Sequence, residues 1–168
     1  MKKSKIGKKE KGFLLKVGRK GFSNFAYKEA LRIFEKYYKK YEFDEDILYL
    51  FGMLYDHLGQ KFRGLSQRAK SVINKRRYLE KSNKYFEKAV EIFNLMLKKN
   101  PKSFDALYGI GKVYRNKDNY EKALSYSKKA YRMSKGKAVY GIGLIYENMG
   151  DTKRALYWYK KELKDKGE

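Results

Sequence analysis

The sequence predicts an all-α chain: a solenoid of helix–turn–helix repeats, about seven helices in all, with a basic N-terminal arm and one extended or inserted helix. Three observations predict it. Apolar residues recur at spacings of three and four, the period of amphipathic helices. A self-similarity joins the two C-terminal stretches: Gly109-Ile-Gly111-x-x-Tyr114 returns 32 residues later as Gly141-Ile-Gly143-x-x-Tyr146. Each copy runs into a short turn, Asn116-Lys-Asp118-Asn119 or Asn148-Met-Gly150-Asp151, and short turns force antiparallel neighbours.

The elements follow in order. Residues 1–22 carry nine Lys/Arg against one Glu, hold four Gly and show no sustained apolar period. They read as a flexible arm that orders on a partner. A first helix is expected over 24–41, where Tyr27-x-x-Ala30-Leu31-x-x-Phe34 sets the pattern, and the arm stands where a preceding helix would be missing. A helix of the other type runs from Asp46 and ends at Gly59 through Phe51-Gly52-x-x-Tyr55. Residues 60–82 then interrupt the alternation, with eight Lys/Arg against one Glu. Leu65, Ala69, Val72 and Ile73 have helical spacing, so 66–98 is expected as one long helix or two nearly continuous ones, carrying Phe86-x-x-Ala89-Val90-x-x-Phe93. Two further pairs follow, about 103–136 and 137–166, whose second helices hold Tyr120-x-x-Ala123-Leu124 and Thr152-x-x-Ala155-Leu156. The domain reading is an arm at 1–22 and one repeat domain at 23–168, with the insertion at about 60–82.

Each residue type has a packing reason. Gly or Ala at a fixed helical position lets the neighbouring helix come close, and an aromatic three or four residues away fills the space beside it. One helix pair cannot bury both faces, so pairs stack. This pattern resembles the tetratricopeptide repeat, a helix–turn–helix unit of about 34 residues. Gly111, Tyr114, Tyr120, Ala123 and Ala130 fall on its consensus positions in one repeat, and Gly143, Tyr146, Gly150, Ala155 and Tyr159 in the next. Pro101 stands where an inter-repeat Pro is expected, and the resemblance extends over about 140 of the 168 residues. Ser127 and Glu162 replace an expected aromatic and Ala, and Leu48, Leu107 and Val139 replace the consensus Trp of the first helices.

Composition excludes much chemistry. There is no Cys and a single His, which removes disulfides, thiolate metal sites, Cys nucleophiles and His clusters. His57 reads as a helix C-terminal cap or a solvated residue, and Asp44-Glu45-Asp46 as an acidic helix start. The Gly-Ile-Gly copies lack a third Gly and a preceding strand, so they read as packing and not as a phosphate loop. No Ser/His/Asp set, Walker loop or zincin motif occurs. No catalysis, cofactor or metal is expected. The longest apolar run in the first 22 residues is Phe13-Leu14-Leu15, short of the roughly 7–15 residues of a secretory signal. Residues 47–55 fall short of the ~20 that span a bilayer. A cytoplasmic location is expected.

The net charge is +23, from 42 Lys/Arg against 19 Asp/Glu. Residues 1–22 and 60–82 concentrate it, which calls for a polyanionic partner. Lys8, Lys9, Lys11, Arg19, Lys20, Arg68, Lys75, Arg76 and Arg77 are the candidate polyanion-binding residues. The resemblance implies that first helices line a concave groove. Tyr49, Tyr108 and Tyr140 then share one groove position, Met53, Lys112 and Leu144 the next, with Arg115 and Asn116 beyond. Tyr and Met at the first repeat's clamp positions argue against the family's capture of acidic C-termini. The C-terminal helix, with Leu156, Trp158, Tyr159 and Leu163, is apolar all round and lacks a polar cap, making it a candidate docking end for a partner or a second copy. The expected function is a non-enzymatic scaffold that binds a protein or peptide in this groove. The alternative is RNA or ribonucleoprotein association through the arm and the insertion.

Overall fold

A computed structural model describes residues 3–23 and 26–165, with the backbone alone for 135–137 and 162–165. The described residues form eight helices and one pair of two-residue strands. They divide into two compact units at Met96/Leu97, not at residue 22.

In the first unit the basic segment is built into the core. Residues Ser4–Lys5 (β1) pair in parallel with Tyr41–Glu42 (β2), and Lys8–Ser23 form helix α1. The expectation of a flexible arm is therefore corrected. The reason lies in a small-residue seam that a search for large apolar side chains passes over. Leu14, Gly18 and Gly21 recur on one face of α1, and all three are buried. A Cβ at Gly18 would meet Leu50 at 3.3 Å and Phe34 at 3.4 Å, and one at Gly21 would meet Ala30 at 2.7 Å. Bare backbone there lets α1 close on α2 (Tyr27–Lys40) and α3 (Glu45–Arg68). Thus α1 takes the place of the helix that the sequence pattern lacks, which raises the count from about seven to eight. Behind it, the fully buried rings of Phe34, Phe43 and Phe51 form a three-way contact, with centroids 5.7 to 6.2 Å apart. Offset and edge contacts of this kind contribute roughly 0.5–1.5 kcal/mol beyond the area they bury.

Asp44 caps α3, its Oδ1 accepting from the Ile47 amide at 3.2 Å. Lys11 Nζ reaches Asp44 at 2.6 Å and Asp46 at 2.8 Å, tying α1 to that acidic start. The hydrogen bonds to Asp44 and then Asp46 hold the Lys11 ammonium well above the usual lysine range.

Helix α3 does not end at Gly59. It continues to Arg68, a turn follows at 69–71, and α4 (Val72–Lys99) returns beside it, its last residues counted with the second unit. The expected insertion is thus a lengthening of two helices into one hairpin. Its register is set by glycines against rings: a Cβ at Gly52 would meet the Phe93 ring at 2.7 Å, and one at Gly59 would strike Phe86. Ser82 Oγ donates to Gly59 O at 2.8 Å, Phe62 stacks on Tyr85 at 5.5 Å, and Ser66 Oγ donates to Lys75 O at 2.9 Å. Two expectations change as a result. His57 lies inside α3, not at its end, with Nδ1 2.8 Å from Met53 O and its ring packed against both Phe22 and Tyr27. Leu65, Ala69, Val72 and Ile73 do not share one helix face, because Ala69 is extended and breaks the period. Val72 and Ile73 are 80% and 79% exposed.

In the second unit, α5 (Phe104–Asn116), α6 (Tyr120–Met133), α7 (Lys135–Asn148) and α8 (Thr152–Asp165) form two helical hairpins. Both turns use one device. Asp118 at φ 56° and Gly150 at φ 76° take the left-handed position. The next amide reaches back five residues, Asn119 N to Tyr114 O at 3.0 Å and Asp151 N to Tyr146 O at 2.9 Å. That same residue then caps the following helix: Asn119 accepts from Lys122 N at 3.1 Å, Asp151 from Arg154 N at 2.9 Å.

Two expected outcomes test this account. Gly52→Ala drives a Cβ into the fully buried Phe93 ring, and overpacking outweighs the gain in helix propensity, so chemical denaturation should show a loss of roughly 1–2 kcal/mol. Gly64→Ala, on the same helix with nothing within 4 Å, should instead stabilise by about 0.5–1 kcal/mol. The second outcome concerns pH. The buried Tyr55 hydroxyl donates to Glu35 Oε1 at 2.7 Å; burial first, and that bond second, push the phenol well above the usual tyrosine value. A folded-state value raised in this way gives stability that is fully present below the unfolded value of about 10 and is lost as pH rises beyond it. Lys11 acts in the same direction. Urea midpoints should fall above about pH 10, and Tyr55→Phe should make that fall shallower.

Candidate functional site

The repeats place Gly52, Gly111 and Gly143 at one position of their first helices. The facing residue of the second helix decides what each gap becomes. Phe93 fills the gap at Gly52, and the Tyr159 ring lies over Gly143. At Gly111 the facing residue is Ser127, whose Oγ lies 2.6 Å from where a Cβ would stand. Ser127 is buried and small, so no ring closes the space above it. A narrow cleft remains, lined by Tyr108, Lys112 and Arg115 from α5, Ser127 from α6, and Gly141 and Ile145 from α7. It encloses about 10 Å³, room for about one water and for no larger group, so any ligand meets the residues at its rim.

Its walls are fixed by packing. The Tyr108 ring stacks on Phe104, centroids 5.5 Å apart at 14°, and its edge lies 2.9 Å from where a Cβ on Gly141 would stand. Only a glycine at 141 lets α7 approach that ring. Lys112 and Arg115 are half-buried, their stems on the helix surface. Beside the cleft the Tyr159 hydroxyl donates to Glu147. Burial first, and then this bond, hold the Tyr159 phenol above its usual value, while the Arg115 charge nearby pulls the other way. The result is a rigid aromatic and cationic surface with an opening at its centre.

The expected groove residues are only partly gathered by this arrangement. Tyr108, Lys112 and Arg115 come together at the cleft. Tyr140 is 49% exposed and packs on Tyr159, at 5.7 Å, outside the cleft lining. Leu144 is half-buried on α7, and Asn116 closes α5. Tyr49 and Met53 belong to the first unit, where Tyr49 rests against Phe93 at 6.2 Å. At the expected docking end, Trp158 meets Tyr131 edge-on at 5.4 Å, so it folds back onto its own unit. Leu156 is half-exposed, Tyr159 is used inside the hairpin, and the Leu163 side chain lies outside the described residues.

The basic candidates divide as well. Lys11 is engaged by Asp44 and Asp46. Lys8, Lys9, Arg19 and Lys20 lie exposed on α1. Arg68, Lys75, Arg76 and Arg77 are exposed at the tip of the α3–α4 hairpin, where Arg76 pairs with Glu80 at 3.1 Å. Sequence reasoning flagged Ser127 only as a departure from pattern, although a Ser where the neighbouring repeat has Tyr is the signal of a missing ring. Among the described residues no group of three or more His, Asp or Glu could hold a metal, and no helix is long and apolar enough to cross a membrane.

Comparison with known proteins agrees with the helical pattern. Residues 104–137 and 136–164 each match the family model of the tetratricopeptide repeat. No curated protein matches the sequence. Among solved structures, a thermophilic TPR protein of Thermus thermophilus is similar at 20% identity and a TM-score of 0.53, over 91% of this chain and 90% of that one. YrrB, a TPR protein described as having an unusual peptide-binding site, is similar at 21% identity and a TM-score of 0.54, over 88% of this chain and 64% of that one. These likenesses concern the fold. Residues 104–164 of this chain are therefore two tetratricopeptide repeats, and its all-α fold is of the tetratricopeptide-repeat type.

Proposed function

We propose that the protein is a non-catalytic scaffold that holds a peptide segment of a partner protein on the second unit. The observation that carries this is the cleft left by Ser127 opposite Gly111, walled by Tyr108, Lys112 and Arg115. A rigid Tyr offers contact area at low entropic cost, and two cations beside it favour a carboxylate through charge-assisted hydrogen bonds. The peptide that suits this surface has an acidic side chain to pair with Lys112 and Arg115 at the rim of the cleft and an apolar or aromatic neighbour to lie on Tyr108 and Tyr140. The likeness to a peptide-binding repeat protein supports the class of function and not the ligand. Nucleic-acid association through the N-terminal segment has less support than its charge promised. That segment is a packed helix, and Lys11 is neutralised within the unit.

Selection of short peptides from a displayed random library tests the reading. Recovered peptides should be enriched in Asp or Glu next to an aromatic, with affinity on the order of micromolar. Arg115→Glu and Lys112→Glu should each weaken them by about tenfold or more, one charge-assisted contact being of that size. Tyr108→Ala combined with Tyr140→Ala should act likewise while far-UV circular dichroism keeps its helical form. Peptides without acidic residues, or binding that both charge reversals leave intact, would sink the proposal.

A further inference from the structure

The tip of the α3–α4 hairpin is built unlike the rest of the first unit. Beyond the Ser82–Gly59 hydrogen bond, α3 runs on from Gly59 to Arg68, about 14 Å at the helical rise. Every residue from 70 to 77 is exposed. Directly after the turn stand two consecutive β-branched aliphatics, Val72 and Ile73, at 80% and 79% exposure. A solvated surface gains nothing by presenting them there. One helical turn further along α4, at i+4 from each, stand Arg76 and Arg77, while Arg68 precedes the turn and Lys70 lies in it. Across residues 60–82 eight Lys/Arg face a single acid, Glu80.

We propose that this tip docks on an anionic lipid surface, with Val72 and Ile73 entering the headgroup and acyl boundary. The order of the side chains along α4 supports this occupant. Val72 and Ile73 open the helix, Arg76 and Arg77 follow one turn, about 5 Å, behind, and Lys70 lies in the turn itself. That spacing sets the guanidinium groups at the level of lipid phosphates when the aliphatics are immersed. Nucleic acid would use the cations and leave the aliphatics without a partner. Its bases would seek exposed aromatic faces, and the aromatics near the tip are engaged inside the hairpin, Phe62 with Tyr78 and Tyr85. The phosphate chemistry is common to both polyanions, and the aliphatic pair distinguishes them.

The full chain carries the test. Because it contains no Cys, Ser71→Cys places a single environment-sensitive fluorophore at the tip. Vesicles of phosphatidylcholine with about a third phosphatidylglycerol should bind the labelled protein and shift its emission to the blue, and pure phosphatidylcholine vesicles should do neither. Val72→Ser with Ile73→Ser should lower partitioning about tenfold or more, and Arg76→Gln with Arg77→Gln should do the same. All four residues are exposed, so thermal unfolding should stay as in the parent protein. Should a variant fold poorly, the emission of the labelled parent still decides. Absence of a blue shift on the anionic vesicles would overturn the proposal. So would partitioning that ignores the aliphatic pair, which would mean adsorption by charge alone. Binding of a uridine oligonucleotide that needs Arg76 and Arg77 but not Val72 and Ile73, without vesicle binding, would assign the tip to nucleic acid.

Discussion

The contact on which the fold depends is a glycine on one helix against an aromatic ring on the next. Gly52 meets Phe93, Gly59 meets Phe86, and Gly143 meets Tyr159. A helical glycine costs about 1 kcal/mol in propensity. Burying a ring in the space it leaves contributes roughly twice that or more. The pairing also fixes register, because a ring fits over bare backbone and over nothing else along the helix. Within each unit the interhelical distances follow from this pairing. So does the exception: where Ser127 faces Gly111, the helices still close, but no ring fills the gap above them. Whether such a gap is filled or left open is decided here by one side chain.

Charge is arranged on these helices with two different purposes. Acidic groups sit where helices begin or where a polar tip must be held. Asp44 caps α3 and receives Lys11, Asp151 caps α8 and receives Arg154, and Glu35 holds the Tyr55 hydroxyl with Lys88 3.5 Å away. The Lys11 and Glu35 contacts join one helix to another, the Asp151–Arg154 contact fastens the start of α8, and each places a cation beside an acid. Other cations gather on the outer face of α1 and around the hairpin tip. A net charge of +23 is therefore not a uniform coat. Part of it is internal fastening, and part stands exposed where the neighbouring sequence holds few acids. Exposed pairs such as Arg76–Glu80 add little to stability, which leaves the charge of that region directed outward.

Lengthening one hairpin changes what a repeat can do. A helix pair of ordinary length buries its inner faces and ends at the edge of the stack. Here α3 and α4 continue past their last buried ring, Phe86, and remain joined by Phe62 with Tyr85 and by two serine hydroxyls on backbone carbonyls. Those few contacts are enough to keep a polar, exposed hairpin in register. They carry a short turn, and two aliphatic residues, away from the core.

The helical class, the register of the two C-terminal repeats and the places of their turns were legible in the amino-acid order. Such features depend on residues close in the chain: a 32-residue recurrence and the short turns Asn116–Asn119 and Asn148–Asp151. The same order marked Ser127 as unlike its counterparts and residues 60–82 as foreign to the pattern. That residues 8–23 form a packed helix emerged only in the folded chain, because Leu14, Gly18 and Gly21 acquire meaning only against Phe34, Leu50 and Ala30, which lie elsewhere in the sequence. The outward position of Val72 and Ile73 emerged there too. An apolar residue counts as core only when another element covers it, and the turn at 69–71 carries these two beyond any cover. Periodicity reports which residues share a helix face. What that face meets is a property of distant partners, and the cleft at Ser127 and the bare tip are both defined by what does not arrive to fill them.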